Sequence, residues 1–494
     1  MYSLGIDIGS SSIKASLLNL SDNAVIASDF YPKQEMEIVA HKAGWAEQHP
    51  DTWWNNIKIL LKELFASSKV DTKEIKFIGI SYQMHGLVAV DKEGNVLRPS
   101  IIWCDSRAVE IGKKASIDLG QERIESLLNS PGNFTASKLK WVQENEPELY
   151  AKIYKIMLPG DYIAYKLTGE FVTTKSGLSE GIFWDFKKEE VSEDLLSYYQ
   201  IDKNLIPEIV DTFSNQGKIS VEIAKELQLG EDVMVSYRAG DQPNNALSLN
   251  VFKSGEVAAT AGTSGVVYGI SDELKFDKKS RVNTFAHVNH LSDGQDQRRL
   301  GVLLNINGTG IMNAWIRKNT AANLSYEEMN EVASKVASGS DGLMVFPYGN
   351  GAERIFENSE PGASVHNLNF NIHTQGHLIR ATQESIAFSF KYGMEIMEKV
   401  GINTSVIRAG LSNMFLSPIF AETLSNISGA KIELYDTDGS QGAARAAGFG
   451  GGYFESLDNA FGEMEKLKTI EPKKDERLEE AYNNWKNKLE TIIG

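Results

Sequence analysis

Apolar and polar positions alternate from the second residue, which predicts strands at the start of the chain. Leu4, Ile6 and Ile8, then Ile13, Ala15 and Leu17, flank the run Gly9, Ser10, Ser11, Ser12, so two strands and a tight turn are expected. Asp7 is a carboxylate set among those apolar neighbours. AVIASDFYP predicts a third strand, and Pro50 and Asp51 open a helical period reaching about Ser67. KFIGISY is a further strand, ending at Gln83, Met84, His85 and Gly86. LVAVD and SIIWCDSR, separated by the turn KEGN, are expected to continue the same sheet, and helical periodicity dominates from about Val109 to Leu167.

Near residue 250 the pattern restarts. GEVAATAGTSGVVYGIS, residues 255 to 271, is again a strand, a turn of small residues and a strand. Two such hairpins heading halves of similar length predict a duplicated α/β fold, with domains at 1–250 and 251–494. In the second half GVLLNINGTGIMNAWIRK is a strand that breaks at Gly308, Thr309 and Gly310 into a helix. A long helix is expected from about His377 to Lys399, then the strand VIRAG and a helix whose inner face carries Phe420 and Leu424. GSQGAARAAGFGGG reads as a helix of small residues that permits close backbone approach. The tail from about Lys473 is a charged amphipathic helix, expected to be a solvated cover.

Composition narrows the classes. A chain of 494 residues exceeds one ordinary core. The formal charge of −16 argues against a nucleic-acid backbone or an anionic membrane as the main partner. No apolar run reaches membrane-spanning length and no secretory leader precedes the first strand. A single cysteine, Cys104, leaves neither an intramolecular disulfide nor a multi-cysteine metal site, and a cytoplasmic location is expected.

The candidate chemistry lies at the turns and strand ends. Turn amides at Gly9, Ser10, Ser11 and Ser12, and at Gly262, Thr263 and Ser264, suit a polyphosphate, with Asp7 placed to hold magnesium through water. No Gly-x-x-x-x-Gly-Lys-Ser/Thr loop is present, so nucleotide binding would use another route. Asp241, after Gly240 in SYRAGDQPNNALSLN, stands where the two domains join; a turn or helix-cap role is the alternative. At the strand end 83–86, Met84 and His85 offer one apolar and one polar contact for a sugar, against a purely structural histidine. Among the tryptophans, Trp103 with Asp105 in WCDSR is the candidate pair for substrate contact.

Together and in this order, these motifs resemble the FGGY family of carbohydrate kinases. DIGSSSIK matches the first phosphate motif, GTSG the second and AGLSN the adenosine motif. GWAEQHPDTWW, IIWCDSRA and DYIAYKLTGE match family landmarks, and QMHG is the sugar-site motif of its xylulokinase branch. The resemblance implies duplicated ribonuclease-H-like domains, as in actin, hexokinase and the Hsp70 ATPase, with a cleft between them. It implies that Asp241 is the catalytic base and that Met84, His85, Asp241 and Gln242 line the sugar site. Gly262, Thr263 and Gly310 would meet the phosphates, and Gly410, Ser412 and Asn413 the adenosine. The implied cofactors are ATP and Mg2+, and the implied reaction is phosphorylation of D-xylulose at its C5 hydroxyl. Alternatives are a kinase for another ketopentose, hexulose or polyol, a non-catalytic sugar sensor, or an actin-like ATPase. The expected partners are the sugar and ATP, with homodimer formation left open and neither nucleic acid nor membrane involved. Two family signatures are matched with departures: Asn133 in NFTASKLKWVQEN replaces an aromatic, Met, Gly or Ser, and Asn367 replaces a glycine. In AGDQPNNA, Gln242 would adjoin the accepting hydroxyl.

Overall fold

The structure, a computed structural model, describes residues 1–291 and 297–494. The chain packs into two compact units. The first comprises Met1–Asn250, Phe285–Leu300 and Thr437–Glu463; the second comprises Val251–Thr284, Gly301–Asp436 and Met464–Gly494. The chain thus passes from the first unit to the second after Asn250, but two later segments return to the first.

The first unit is built on strands β1 (Tyr2–Ile8), β2 (Ile13–Asn19), β3 (Ala24–Tyr31), β4 (Ile75–Tyr82) and β5 (Met234–Gly240), in the order β5-β4-β1-β2-β3. β1, β2 and β3 form an antiparallel meander, while β4 runs parallel to both β1 and β5. The register pairs Ile8 with Tyr82 and Tyr82 with Gly240, so three parallel strands end on one edge. That edge is where ligands gather in open α/β sheets. One apolar set, Leu4, Ile6, Ile8, Ile13, Ala15 and Leu17, shares a core with Trp53, Trp54, Ile57, Leu60, Leu61 and Leu64 of the helix Pro50–Ser68.

The helix Gly439–Gly450 packs against β1 and β4. A Cβ on Gly5 would lie 1.8 Å from the carbonyl oxygen of Ser440, and one on Gly79 would lie 2.0 Å from that of Ala443. Backbone therefore meets backbone, which is why both the strands and the helix need small residues here. This contact also explains why a late segment of the chain belongs to the first unit.

LVAVD and SIIWCDSR do not continue the main sheet. Val88–Val90 pairs with Lys155–Met157, and Ser100–Ile101 with Glu47–Gln48, in separate two-stranded ladders. β5 already occupies the edge beside β4, and the chain turns away at His85, whose φ is 62°. The helical region 109–167 is broken into Val109–Leu127, Thr135–Asn145, Pro147–Tyr150 and Pro159–Thr168, with prolines opening the last two.

A second sheet, made almost wholly of second-unit residues, comprises β6 (Glu256–Ala261), β7 (Gly265–Ser271), β8 (Asn283–Ala286), β9 (Leu300–Ile306), β10 (Val406–Gly410), β11 (Lys431–Tyr435) and β12 (Lys466–Ile470). Its order is β8-β9-β7-β6-β10-β11-β12. Within it, β9-β7-β6-β10-β11 repeats the order β3-β2-β1-β4-β5 of the first unit, so each unit carries the ribonuclease-H-like sheet expected from the sequence. The long helix Gln375–Glu398 supplies Ile386, Phe390, Met394 and Met397 to the core. The tail helix Glu476–Ile493 is more than a solvated cover. Leu478, Tyr482, Trp485 and Leu489 form a buried stripe, and the Trp485 indole donates to the carbonyl of Val345 at 2.8 Å. Among the described residues no helix is long and apolar enough to cross a membrane.

Candidate functional site

In the first unit, Asp7 and Asp241 both stand at the edge where β1, β4 and β5 end. Asp7 accepts a 2.7 Å hydrogen bond at Oδ1 from the Ser81 hydroxyl, its neighbour across the parallel ladder. A Cβ on Gly439 would come within 2.6 Å of Asp7 Oδ2 and 3.0 Å of Asn245 Oδ1, so the start of the helix Gly439–Gly450 lies directly against this carboxylate. Asp438 caps that helix by accepting from the amides of Ser440 and Gln441. Burial raises the Asp7 carboxyl above its usual range, the Ser81 bond opposes this, and the nearby Asp438 charge adds to the rise.

Asp241 opens the helix Asp241–Ser248 immediately after Gly240, the last residue of β5. Burial, followed by repulsion from Asp7, pushes its carboxyl up to about 7, while hydrogen bonds from the Gln242 amide and side chain favour the ionised form. Met84 lies over Gly240, where an added Cβ would be 2.6 Å from its Cγ and 3.0 Å from Glu180 Oε2. His85 Nδ1 is 3.0 Å from the carbonyl oxygen of Glu180. A carbonyl can only accept, so Nδ1 carries the hydrogen. The His85 ring meets Phe134 edge-on, with centroids 4.7 Å apart, and lies 5.4 Å from Phe285. Met84, His85, Asp241 and Gln242 thus gather at one strand edge with Asp7.

The turn at 9–12 is closed by a 3.1 Å bond from the Gly9 amide to the Ser12 carbonyl. Gln48 ties this turn to the strand end 83–86: its amide donates to the Ser10 carbonyl at 2.7 Å, and its oxygen accepts from Gln83 and Trp53. Trp103 is exposed, with its indole N–H 3.4 Å from Ser10 Oγ, and so belongs beside the first turn. Asp105 differs from the expectation of a substrate contact. It is buried, with its oxygens accepting from the Ala46 amide and from Arg107, whose guanidinium lies 3.8 Å from the Trp45 ring centre. Its carboxylate is committed to holding that segment together.

Sequence reasoning missed Ser81, Asn245, Gln48, Glu180 and Asp438. Only Asp438 carried a readable signal, an Asp before a small-residue helix. Glu180 is buried, and burial with the charges of Asp241 and Asp161 holds its carboxyl well above the carboxylate range despite the Tyr82 hydroxyl.

In the second unit the phosphate and adenosine candidates also converge. The Gly310 amide donates to the Gly262 carbonyl at 2.9 Å and the Ile311 amide to that of Thr263 at 3.2 Å. This locks the turn 262–264 to the start of the helix Gly310–Thr320. A Cβ on Gly310 would lie 2.3 Å from the Gly262 carbonyl oxygen, so only glycine allows the approach. Asn413 Nδ2 falls 3.7 Å from where a Cβ on Gly262 would sit, which brings the loop after Gly410, with Ser412, to the same place. The buried Glu353, which the sequence did not single out, accepts from the amides of Asn307 and Gly308 and sets the loop before Gly310.

Comparison with known proteins agrees with both halves. Residues 2–248 match the N-terminal domain, and residues 257–450 the C-terminal domain, of the FGGY family of carbohydrate kinases. A xylulose kinase from Lactococcus lactis is 30% identical over 492 residues, covering 98% of this chain and 96% of that protein. The crystal structure of xylulose kinase from Rhodospirillum rubrum superposes with a TM-score of 0.88 at 24% identity, over 100% of this chain and 99% of that one. That of Plasmodium falciparum glycerol kinase with ADP gives 0.89 at 21% identity, over 100% and 98%. At these identities the structures establish the fold, which kinases for different acceptors share. The chain belongs to the FGGY family of carbohydrate kinases.

Proposed function

We propose that the protein transfers the terminal phosphoryl group of ATP to the C5 hydroxyl of D-xylulose, with Asp241 as the general base. The observation that carries this reading is the Asp241 carboxyl itself. It is pushed up to about 7, bonded by Gln242, and set beside Met84 and His85 on one strand edge. A base with such a pKa is matched to neutral pH, where about half of it is ionised and able to take the hydroxyl proton as the oxygen attacks phosphorus. Gln242 holds the carboxylate by two donors, so the accepting oxygen keeps one direction. The choice of xylulose is supported by the xylulose kinase at 30% identity and by the Met84–His85 strand end.

Magnesium fits the first unit. The Asp438 charge raises the Asp7 carboxyl and the Asp7 charge raises that of Asp241, a repulsion that a divalent cation would relieve. Among the described residues no group of three or more His, Cys, Asp or Glu side chains is arranged to hold a metal alone. Magnesium suits such a site because it keeps several waters and takes phosphate oxygens as ligands. Asp7 is the residue that would hold it, and its chemistry would be to neutralise charge on the transferring phosphoryl group.

The test is ADP release measured over a panel of D-xylulose, L-xylulose, ribulose, fuculose, gluconate and glycerol. D-xylulose should give the highest kcat/KM. A higher value for any other acceptor replaces the substrate, and no release with any of them removes the catalytic reading.

A further inference from the structure

Lys138, in the helix Thr135–Asn145, is fully buried, and its Nζ bridges two segments that both carry sugar-site candidates. It donates to the carbonyl of His85 at 2.8 Å and to that of Ile102 at 2.9 Å. His85 lies in the strand end 83–86 and has a φ of 62°, a conformation costly for a side-chain-bearing residue unless its surroundings impose it. Ile102 directly precedes Trp103. The same stretch reaches the far side of Trp103 as well, because the Asn133 side chain donates to the carbonyl of Asp105. Residues 133–138, singled out in the sequence only as a family signature, therefore clamp the two backbone segments on which Met84, His85 and Trp103 are carried.

We propose that Lys138 is a positioning residue of the sugar site, its amine fixing the 83–86 strand end and the Trp103 segment in the arrangement that receives the sugar. This rests on the reading of the first unit as a sugar site. The geometry fits lysine. Burial pushes the amine down to about 7, with Asp105, Cys104 and Glu180 raising it and Arg107 lowering it, and either protonation state supplies the two N–H groups that the two carbonyls need. Without those donors the strand end visits other conformers, and sugar affinity falls by the fraction of time the receiving one is lost. Such a loss removes binding that ground state and transition state share, so it raises KM and leaves kcat.

The variant Lys138→Met keeps the length and apolar stem and removes the donors. Lys138→Gln keeps an amide that can donate to one or both carbonyls. Kinetics of both, with melting temperatures, are measured on the full chain against sugar and ATP. Expected for Lys138→Met is a sugar KM raised about tenfold or more, with ATP KM and kcat at saturating sugar within about threefold of the parent, and partial recovery in Lys138→Gln. An unchanged sugar KM, a fall confined to kcat, or loss of the folded state in both variants assigns Lys138 to the fold alone and overturns the proposal. The sugar used is whichever acceptor the unaltered protein phosphorylates best, so the choice of xylulose can fail while the role of Lys138 is still decided.

Discussion

The hairpin β1–β2 ends in the pair Ile8 and Ile13 and places Asp7 one residue before its last pair member, whereas β6–β7 ends in Ala261 and Gly265 with Thr260 at the same place. The two sheets share a strand order, yet one presents a carboxylate and the other a hydroxyl. Their packing differs in the same sense. In the first unit the helix Gly439–Gly450 meets β1 and β4 backbone to backbone, bringing its capping Asp438 and Gly439 against Asp7. In the second, Gly265 faces the Phe390 ring and Gly269 faces Ile402 and Met397, so side chains fill the space at these strand positions, and the buried acid Glu353 accepts from the loop amides of Asn307 and Gly308. On the proposed function, the duplicated fold divides chemistry from binding. The first copy gathers carboxylates at its strand ends, and the second keeps a turn of small neutral residues at 262–264.

The largest test of that division is Asp241→Asn, which keeps size and hydrogen bonding but cannot take a proton. Turnover should fall by roughly 10²- to 10⁴-fold with sugar affinity little changed. Near-normal turnover with a lowered melting temperature would make Asp241 a helix-start residue and leave the first unit without its base.

Paired glycine substitutions compare the two kinds of packing. A Cβ at Gly79 would meet the Ala443 carbonyl at 2.0 Å, and backbone cannot yield cheaply, so Gly79→Ala should cost about 1–3 kcal/mol. At Gly269 the Cβ would meet side-chain carbons at 2.8 Å and beyond, which can shift, so Gly269→Ala should cost less. Denaturant unfolding of the two variants decides it, and equal losses would mean that the packing of the units does not differ in rigidity.

The smallest effect concerns pH. With the Asp241 carboxyl at about 7, kcat/KM should drop about tenfold per unit below that pH, a limb absent in Asp241→Asn. Stability moves oppositely. The folded carboxyl holds its proton more tightly than its ordinary value of 3.8, so its contribution is complete below about pH 4 and is lost as pH rises towards 7. The melting temperature of the ligand-free parent should therefore decline against Asp241→Asn across that window and run parallel above it; parallel curves throughout would show an unshifted carboxyl.

Both hairpins, the helix of small residues and the place of Asp7 and Asp241 at strand ends were legible in the sequence, because alternation, glycine turns and caps are local. Which late segment returns to which unit was not, since it depends on Gly5 and Gly79 meeting Ser440 and Ala443 across more than three hundred residues of chain. The tail helix looked like a cover because its charges outnumber its apolar stripe, but Trp485 found a core to fill. Asp105 had the setting of a site residue until Arg107 and the Ala46 amide took up its oxygens. Asp7, Met84, His85 and Asp241 could be named from local pattern. Their company of Ser81, Asn245, Glu180, Gln48 and Lys138 was decided only by the tertiary fold, because hydrogen-bond partners and the burial that shifts a carboxyl are properties of residues distant in sequence and adjacent in space.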